Sequence, residues 1–284
     1  MIAIYKSEEG ARANHDRYRE ILNQWPVANG QFTVPTRAGD TFVIACGPET
    51  APPVLLFHGS ASNSFMWLND AAALAADFRV YAVDLIGEPG LSARTRYRPG
   101  TDEHALWLDD VLQALSLTRV SMVGVSLGGW LALDYAIRRT GRVKALVLIC
   151  PAGIGKLKNF LLKAFPYFFM GEWGRKKLRA MVMGQAYTTL PPRAKPIADF
   201  LGLIFRNFNP RRDPIPPASD EDLRKLRMPI AIWLGGEDVL IDSHDTMRRA
   251  KALLPQTEVH FDPKIGHFIP TPTQAIVDFL RRAG

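Results

Sequence analysis

Five short apolar runs set the rhythm of the chain. PVLLFHG (53–59), RVYAVD (79–84), RVSMVGV (119–125), VKALVLIC (143–150) and MPIAIWLGG (228–236) are nearly continuous in aliphatic residues. Strands buried on both faces read this way. Between the earlier runs lie SFMWLNDAAALAAD (64–77), DEHALWLDDVLQALS (102–116) and SLGGWLALDYAIRR (126–139), whose apolar positions predict helices. Strand and helix alternate, so the pattern predicts an α/β fold with a mostly parallel central sheet flanked by helices and joined by right-handed crossovers. Upstream, a helical stretch ends near Trp25, and QFTVPT and TFVIACG flank the turn RAGD as a hairpin.

The alternation stops at Pro151 and resumes at Met228. Residues 152–227 are therefore expected to form a helical cap insertion, with 1–151 and 228–284 as the core and 1–30 as its N-terminal helical extension. Composition separates the insertion further: Ala152–Arg212 carries twelve Lys/Arg against Glu172 and Asp199, a net +10, which leaves −3 on the rest of a chain whose total is +7. It also holds ten of the 28 aromatic residues. So many apolar groups want a surface to cover, which favours a cap over an independent domain. The charge does not signify nucleic acid, because neither zinc-finger spacing nor an RNA-recognition signature is present.

The 284 residues, 47% hydrophobic, can bury a large core. No run approaches the roughly 18 apolar residues of a membrane span. The start, MIAIYKSEEGARANHDRYRE, turns charged too early for a secretory signal, so a cytoplasmic protein is expected. Cys46 and Cys150 stand far apart in strand-like runs, where packing is their expected role.

Candidate chemistry centres on VGVSLGGW, Val123 to Trp130. A strand that turns at once into a helix strains its corner residue, and side chains two positions away on either side would collide. Gly124 and Gly128 remove those side chains around Ser126. A serine hydroxyl needs a base and an acid to orient that base. Among six histidines, His267 lies in PKIGHFIP after the last strand-like run, TEVHFD; His15 and His104 are expected to be solvated and His58 structural. The order Ser, acid, His points to the loop EDVLID, where Asp238 is preferred just beyond the glycine pair of MPIAIWLGG; adjacent Glu237 should point the opposite way and Asp242 reads as a helix N-cap. Backbone N–H groups of Leu127 and of Ser60, in the turn after PVLLFHG, are the expected oxyanion donors.

HGS at 58–60, GVSLG at 124–128, GGED at 235–238 and GH at 266–267, in that order, resemble the α/β-hydrolase fold family over nearly the whole chain from Gln31. YAVDLIGEPGLS (81–92) is similar to that family's loop after the next strand. The resemblance implies a serine hydrolase with a Ser126–His267–Asp238 triad and no metal or organic cofactor. Serine at the elbow disfavours the dehalogenases and epoxide hydrolases, which carry aspartate there. The His-Gly-Gly-Gly loop of the hormone-sensitive-lipase branch is absent. Within the family, WPV at 25–27, CGPETAPPVLLFHG at 46–59 and the helical extension are similar to bacterial carboxylesterases of the naproxen-esterase type.

The expected function is cleavage of carboxylic esters through an acyl-enzyme, with a small-molecule ester as partner. Carbon–carbon bond hydrolysis, cofactor-free haloperoxidation and a catalytically idle binding protein stay open as alternatives. So do three roles for the basic insertion: a cap with a solvated outer face, a device that attracts anionic substrates, or an anionic membrane contact through KNFLLKAFPYFFM. The pattern leaves oligomeric state open.

Overall fold

The computed structural model describes residues 3–160, 165–183 and 195–284 and is built on an eight-stranded sheet. Its strands are β1 (Asn29–Val34), β2 (Thr41–Cys46), β3 (Pro53–Phe57), β4 (Arg79–Val83), β5 (Val120–Val125), β6 (Val143–Ile149), β7 (Ile230–Gly235) and β8 (Thr257–Asp262). They lie in the order β1-β2-β4-β3-β5-β6-β7-β8. β1 pairs β2 and β2 pairs β4 antiparallel; every other neighbouring pair is parallel. The predicted hairpin is β1 and β2, and the five apolar runs are β3 to β7.

Position in the sheet explains each strand's composition. β5 and β7 are buried along their whole length, as strands covered on both faces must be. β8, at one edge, alternates half-buried and exposed positions, and β1, at the other, is exposed except at Val34.

Helices α1 (Glu8–Leu22), α2 (Ala71–Ala75), α3 (Glu103–Ala114) and α4 (Leu127–Arg138) precede the insertion. Only a third of the helix expected over 64–77 forms as α2. Ser64–Trp67 is instead a 3₁₀ turn, because Asn63 accepts the Phe65 N–H and the buried Asp84 carboxylate accepts the Ser64 N–H at 2.8 Å. Side chains that capture amides this way compete with a continuous helix.

Between β6 and β7 come a 3₁₀ turn at Phe165–Phe169 and helices α5 (Gly171–Met183), α6 (Lys195–Asn207) and α7 (Asp220–Lys225). α8 (Ser243–Leu253) and α9 (Thr273–Ala283) complete the chain. Residues 161–164 and 184–194, parts of the expected cap and of the expected membrane-contact stretch, lie outside the described residues. In the rest of that stretch Phe165 and Phe169 are exposed.

The insertion and the N-terminal extension grip each other. Phe200 of α6 stacks on Tyr18 of α1 at 6.1 Å and meets Phe65 edge-on at 5.2 Å. Backbone bonds from Lys6 N–H to Asn207 O and from Asn209 N–H to Ile4 O, each 2.8 Å, close the end of the clasp. Tyr18 then donates its hydroxyl to Asp84 at 2.9 Å, tying the clasp to the loop after β4.

Of two histidines expected to be solvated, His15 is half-buried and His104 is buried. His15 meets the Tyr5 hydroxyl at 3.2 Å. His104 is buried with its ring edge-on to Trp130 at 5.2 Å, because His104, Trp107, Leu108, Val111 and Leu112 share the inward face of α3. Its Nδ1 has no hydrogen-bond partner among the described residues, and burial pushes its pKa from 6.5 down to about 4, with Arg211 and Arg138 acting in the same direction.

Between those two pH values the unfolded chain holds a proton that the folded one excludes, so stability falls as pH falls. Over the whole window His104 contributes on the order of 3 kcal/mol to that loss. His104→Phe is expected to flatten the pH dependence of urea unfolding between about pH 4 and 6.5 by a comparable amount. An unchanged slope would contradict the assignment.

Candidate active site

Ser126 occupies the corner between β5 and α4 with φ 51° and ψ −107°. A non-glycine residue in such a region costs roughly 1–3 kcal/mol and persists only where its surroundings impose it. Here they do. The Ser126 N–H donates to Ile149 O at 2.9 Å, and its carbonyl accepts the Trp130 N–H at 2.9 Å, so the corner is tied to β6 and to the first turn of α4. A Cβ on Gly124 would fall on the Gly128 carbonyl, and one on Gly128 on the carbonyls of Phe57 and His58. Two glycines thus let the strand, the helix and the end of β3 meet backbone to backbone.

Asp238 follows β7 with a side chain 0% exposed. Its Oδ1 accepts the Leu240 and Ile241 N–H groups at 2.7 and 3.0 Å, and its Oδ2 accepts the His267 Nδ1–H at 2.7 Å. With both oxygens engaged, the carboxylate cannot rotate without losing bonds. His267, in the loop after β8, presents Nε2 to the Ser126 hydroxyl at 3.0 Å. Adjacent acids are placed otherwise: Glu237 is exposed, and Asp242 caps α8 by accepting the Asp245 N–H at 3.0 Å.

His58 is fully buried beneath this site. Its Nε2 accepts the Leu85 N–H at 2.9 Å, so Nδ1 carries the proton and donates to Gly59 O at 2.8 Å. Burial lowers its pKa, which keeps the ring neutral as a fixed support. His244 and His260 lie at the surface, the latter stacked on Trp233 at 4.4 Å. A Cβ on Gly59 would stand 3.8 Å from Ser126 Cβ, which brings the His58–Ser60 turn against the serine. Leu127 is the first residue of α4, where helix geometry provides no intrahelical acceptor for its N–H.

Four further residues carry no individual signal in the sequence, although Asp84 and Glu88 lie within YAVDLIGEPGLS. Lys158, within the basic insertion, donates from Nζ to the Asp238 carbonyl at 2.6 Å and from its own N–H to Leu240 O at 2.8 Å. Leu157 bridges to Ile241. The insertion therefore begins as a brace for the Asp238 loop, through contacts about eighty residues apart in the chain. Asp84 gathers Tyr18, Ser64 and Leu91, and Glu88 holds Ala61. Among the described residues no cluster of three or more His, Cys, Asp or Glu side chains could hold a metal ion, and no helix is long and apolar enough to cross a membrane.

A serine held at a strained elbow, in contact with a histidine whose far nitrogen meets a buried carboxylate, on a mostly parallel sheet in this strand order, defines the α/β-hydrolase class. The family model for the alpha/beta hydrolase fold matches residues 52–270, and the chain belongs to that family. It is similar to the uncharacterized carboxylesterase nap of Bacillus subtilis, 32% identical over 268 residues covering 93% of this chain and 88% of the relative. Carboxylesterase YbfK of the same organism is 28% identical over 269 residues, 92% of this chain and 89% of the relative. The crystal structure of Bacillus subtilis naproxen esterase matches with a TM-score of 0.82 at 30% identity, covering 96% of this chain and 97% of that one.

The elbow's dependence on close backbone contact is measurable. Gly128→Ala is expected to lower the free energy of unfolding by about 2–4 kcal/mol, since a methyl there must push β3 and α4 apart. Gly141→Ala, where nothing lies within 4 Å of the added carbon, is expected to change it by less than about 0.5 kcal/mol. Equal effects in the two variants, read by urea denaturation, would contradict the steric account.

Proposed function

We propose that the protein hydrolyses carboxylic esters by nucleophilic catalysis at Ser126. The observation that carries the reading is the continuous line of hydrogen bonds from Ser126 through His267 to a buried, fully engaged Asp238. Similarity to carboxylesterases along nearly the whole chain supports an ester as the substrate class.

His267 Nε2 takes the Ser126 proton as Oγ attacks the ester carbonyl. Negative charge collects on the carbonyl oxygen, where the Leu127 and Ser60 N–H groups and the N-terminus of α4 stabilise it. The imidazolium is held by Asp238, whose acceptor geometry also forces the proton onto Nδ1 in the resting ring. His267 then protonates the leaving alcohol. A water molecule, deprotonated by the same nitrogen, attacks the acyl-enzyme, and collapse returns the proton to Ser126 while releasing the acid. Atoms and protons balance without a metal or organic cofactor.

The insertion serves as a cap in this reading. Lys158 anchors its start to the Asp238 loop, and Phe200 packs on Phe65, close after the Ser60 turn, so it borders the site on two sides.

Purified protein is expected to turn over p-nitrophenyl esters, with one optimum in a series of graded acyl length. Ser126→Ala should lower kcat by about 10³-fold or more, and Asp238→Asn by roughly 10²–10⁴-fold through loss of the correct tautomer. Comparable kcat in wild type and Ser126→Ala would reject the proposal.

A further inference from the structure

The triad leaves one buried acid unexplained. Glu88 lies in the Gly87–Gly90 turn after β4 and is 1% exposed. No cation reaches ion-pair distance of it among the described residues; instead Oε2 accepts the Ala61 N–H at 2.7 Å and the Ser60 hydroxyl at 3.4 Å. Oε1 is buried with no hydrogen-bond partner among the described residues. Burying a carboxyl in this way costs several kcal/mol, and a neutral glutamine of the same shape could accept the Ala61 N–H at lower cost.

The group it holds is strained. Ala61 has φ 53°, in the left-handed region that favours glycine. Ser60, immediately before it, lies in the turn pressed against Ser126 and supplies the proposed oxyanion donor. The turn is fixed from two sides. His58 pins its start to Leu85, and Glu88 pins its end through Ala61.

We infer that Glu88, as a carboxylate, is a positioning residue that aims the Ser60 amide at the developing oxyanion, so that protonation of Glu88 slows ester hydrolysis. The inference rests on the proposed role of the Ser60 N–H. A hydrogen bond to a carboxylate is roughly twice as strong as one to a neutral acceptor, so the protonated acid keeps its shape but holds the strained turn less firmly. Burial raises the Glu88 pKa from 4.5 to about 7, against the Ala61 N–H, Arg96, Arg211 and the Ser60 hydroxyl, which favour the charged form. Tyr5, from the N-terminal segment, also senses its charge.

The test compares kcat and KM for p-nitrophenyl ester hydrolysis between about pH 5.5 and 8.5 in wild type and Glu88→Gln. At about pH 8 the glutamine variant is expected to lose roughly tenfold in kcat with KM within about twofold. The deficit should close towards unity below about pH 6, where wild type carries the proton too, with a midpoint near 7. Ionisations shared by the two enzymes cancel in their ratio. A packing role would lower kcat equally at every pH, and that outcome, or a ratio of one throughout, overturns the inference.

Ser60→Ala supplies a second arm that keeps Glu88 and the backbone amide. Removing the hydroxyl donor should move the midpoint of activity to higher pH, since that bond favours the carboxylate. An unmoved midpoint also overturns the inference. Ser126→Ala, run in parallel, separates the two failures. Unchanged hydrolysis there rejects the ester reading and this one with it, whereas loss of hydrolysis beside a flat Glu88→Gln ratio rejects the Glu88 role alone.

Discussion

The bond from His267 Nδ1 to the Asp238 carboxylate, 2.7 Å long and closed to solvent on the acid's side, constrains everything around it. The acid's other oxygen accepts the amides of Leu240 and Ile241, which fixes the carboxylate's orientation towards the ring. The loop that carries those amides is in turn held by the start of the insertion: Lys158 donates to the carbonyls of Leu240 and Asp238, and Leu157 bridges to Ile241. With Nδ1 committed, only Nε2 is available, and it faces Ser126 at 3.0 Å. A buried charge is stable only when fully bonded, so the precision of the site follows from the cost of leaving Asp238 unsatisfied.

The opposite wall of the site is built on backbone rather than charge. Gly124 and Gly128 allow β5, α4 and the end of β3 to touch main chain to main chain, and neutral His58 fixes the turn that leaves β3. The N-terminal extension reaches the same region from outside. Tyr18 bonds Asp84, Asp84 holds Ser64, and α6 packs over both through Phe200. Extension and insertion, separated by more than a hundred residues, are two halves of one support.

The sheet was legible in the chain because buried strands must be continuously apolar and because a strand-to-helix corner needs glycine at fixed offsets from Ser126. Asp238 and His267, the proposed acid and base, were legible as candidates for a related reason: each follows a strand, and parallel strands end on the same side of the sheet. Long-range pairing left no such trace. Lys158 reads as one more cation in a basic segment, although it braces the acid loop. Arg211 reads the same way, although its side chain is 6% exposed and donates to the Tyr97 carbonyl. His104 could have been recognised, since it shares the helical face of Trp107, Leu108 and Val111; a polar residue on an apolar stripe is still on the stripe.

Ester hydrolysis at this site requires Ser126 to be a nucleophile activated by His267. Treatment of the folded protein with a fluorophosphonate probe, followed by digestion and mass mapping, tests it most directly. One adduct per chain is expected, on Ser126, and none when His267 is replaced by alanine. An unlabelled folded protein, or labelling confined to a different serine, would contradict it.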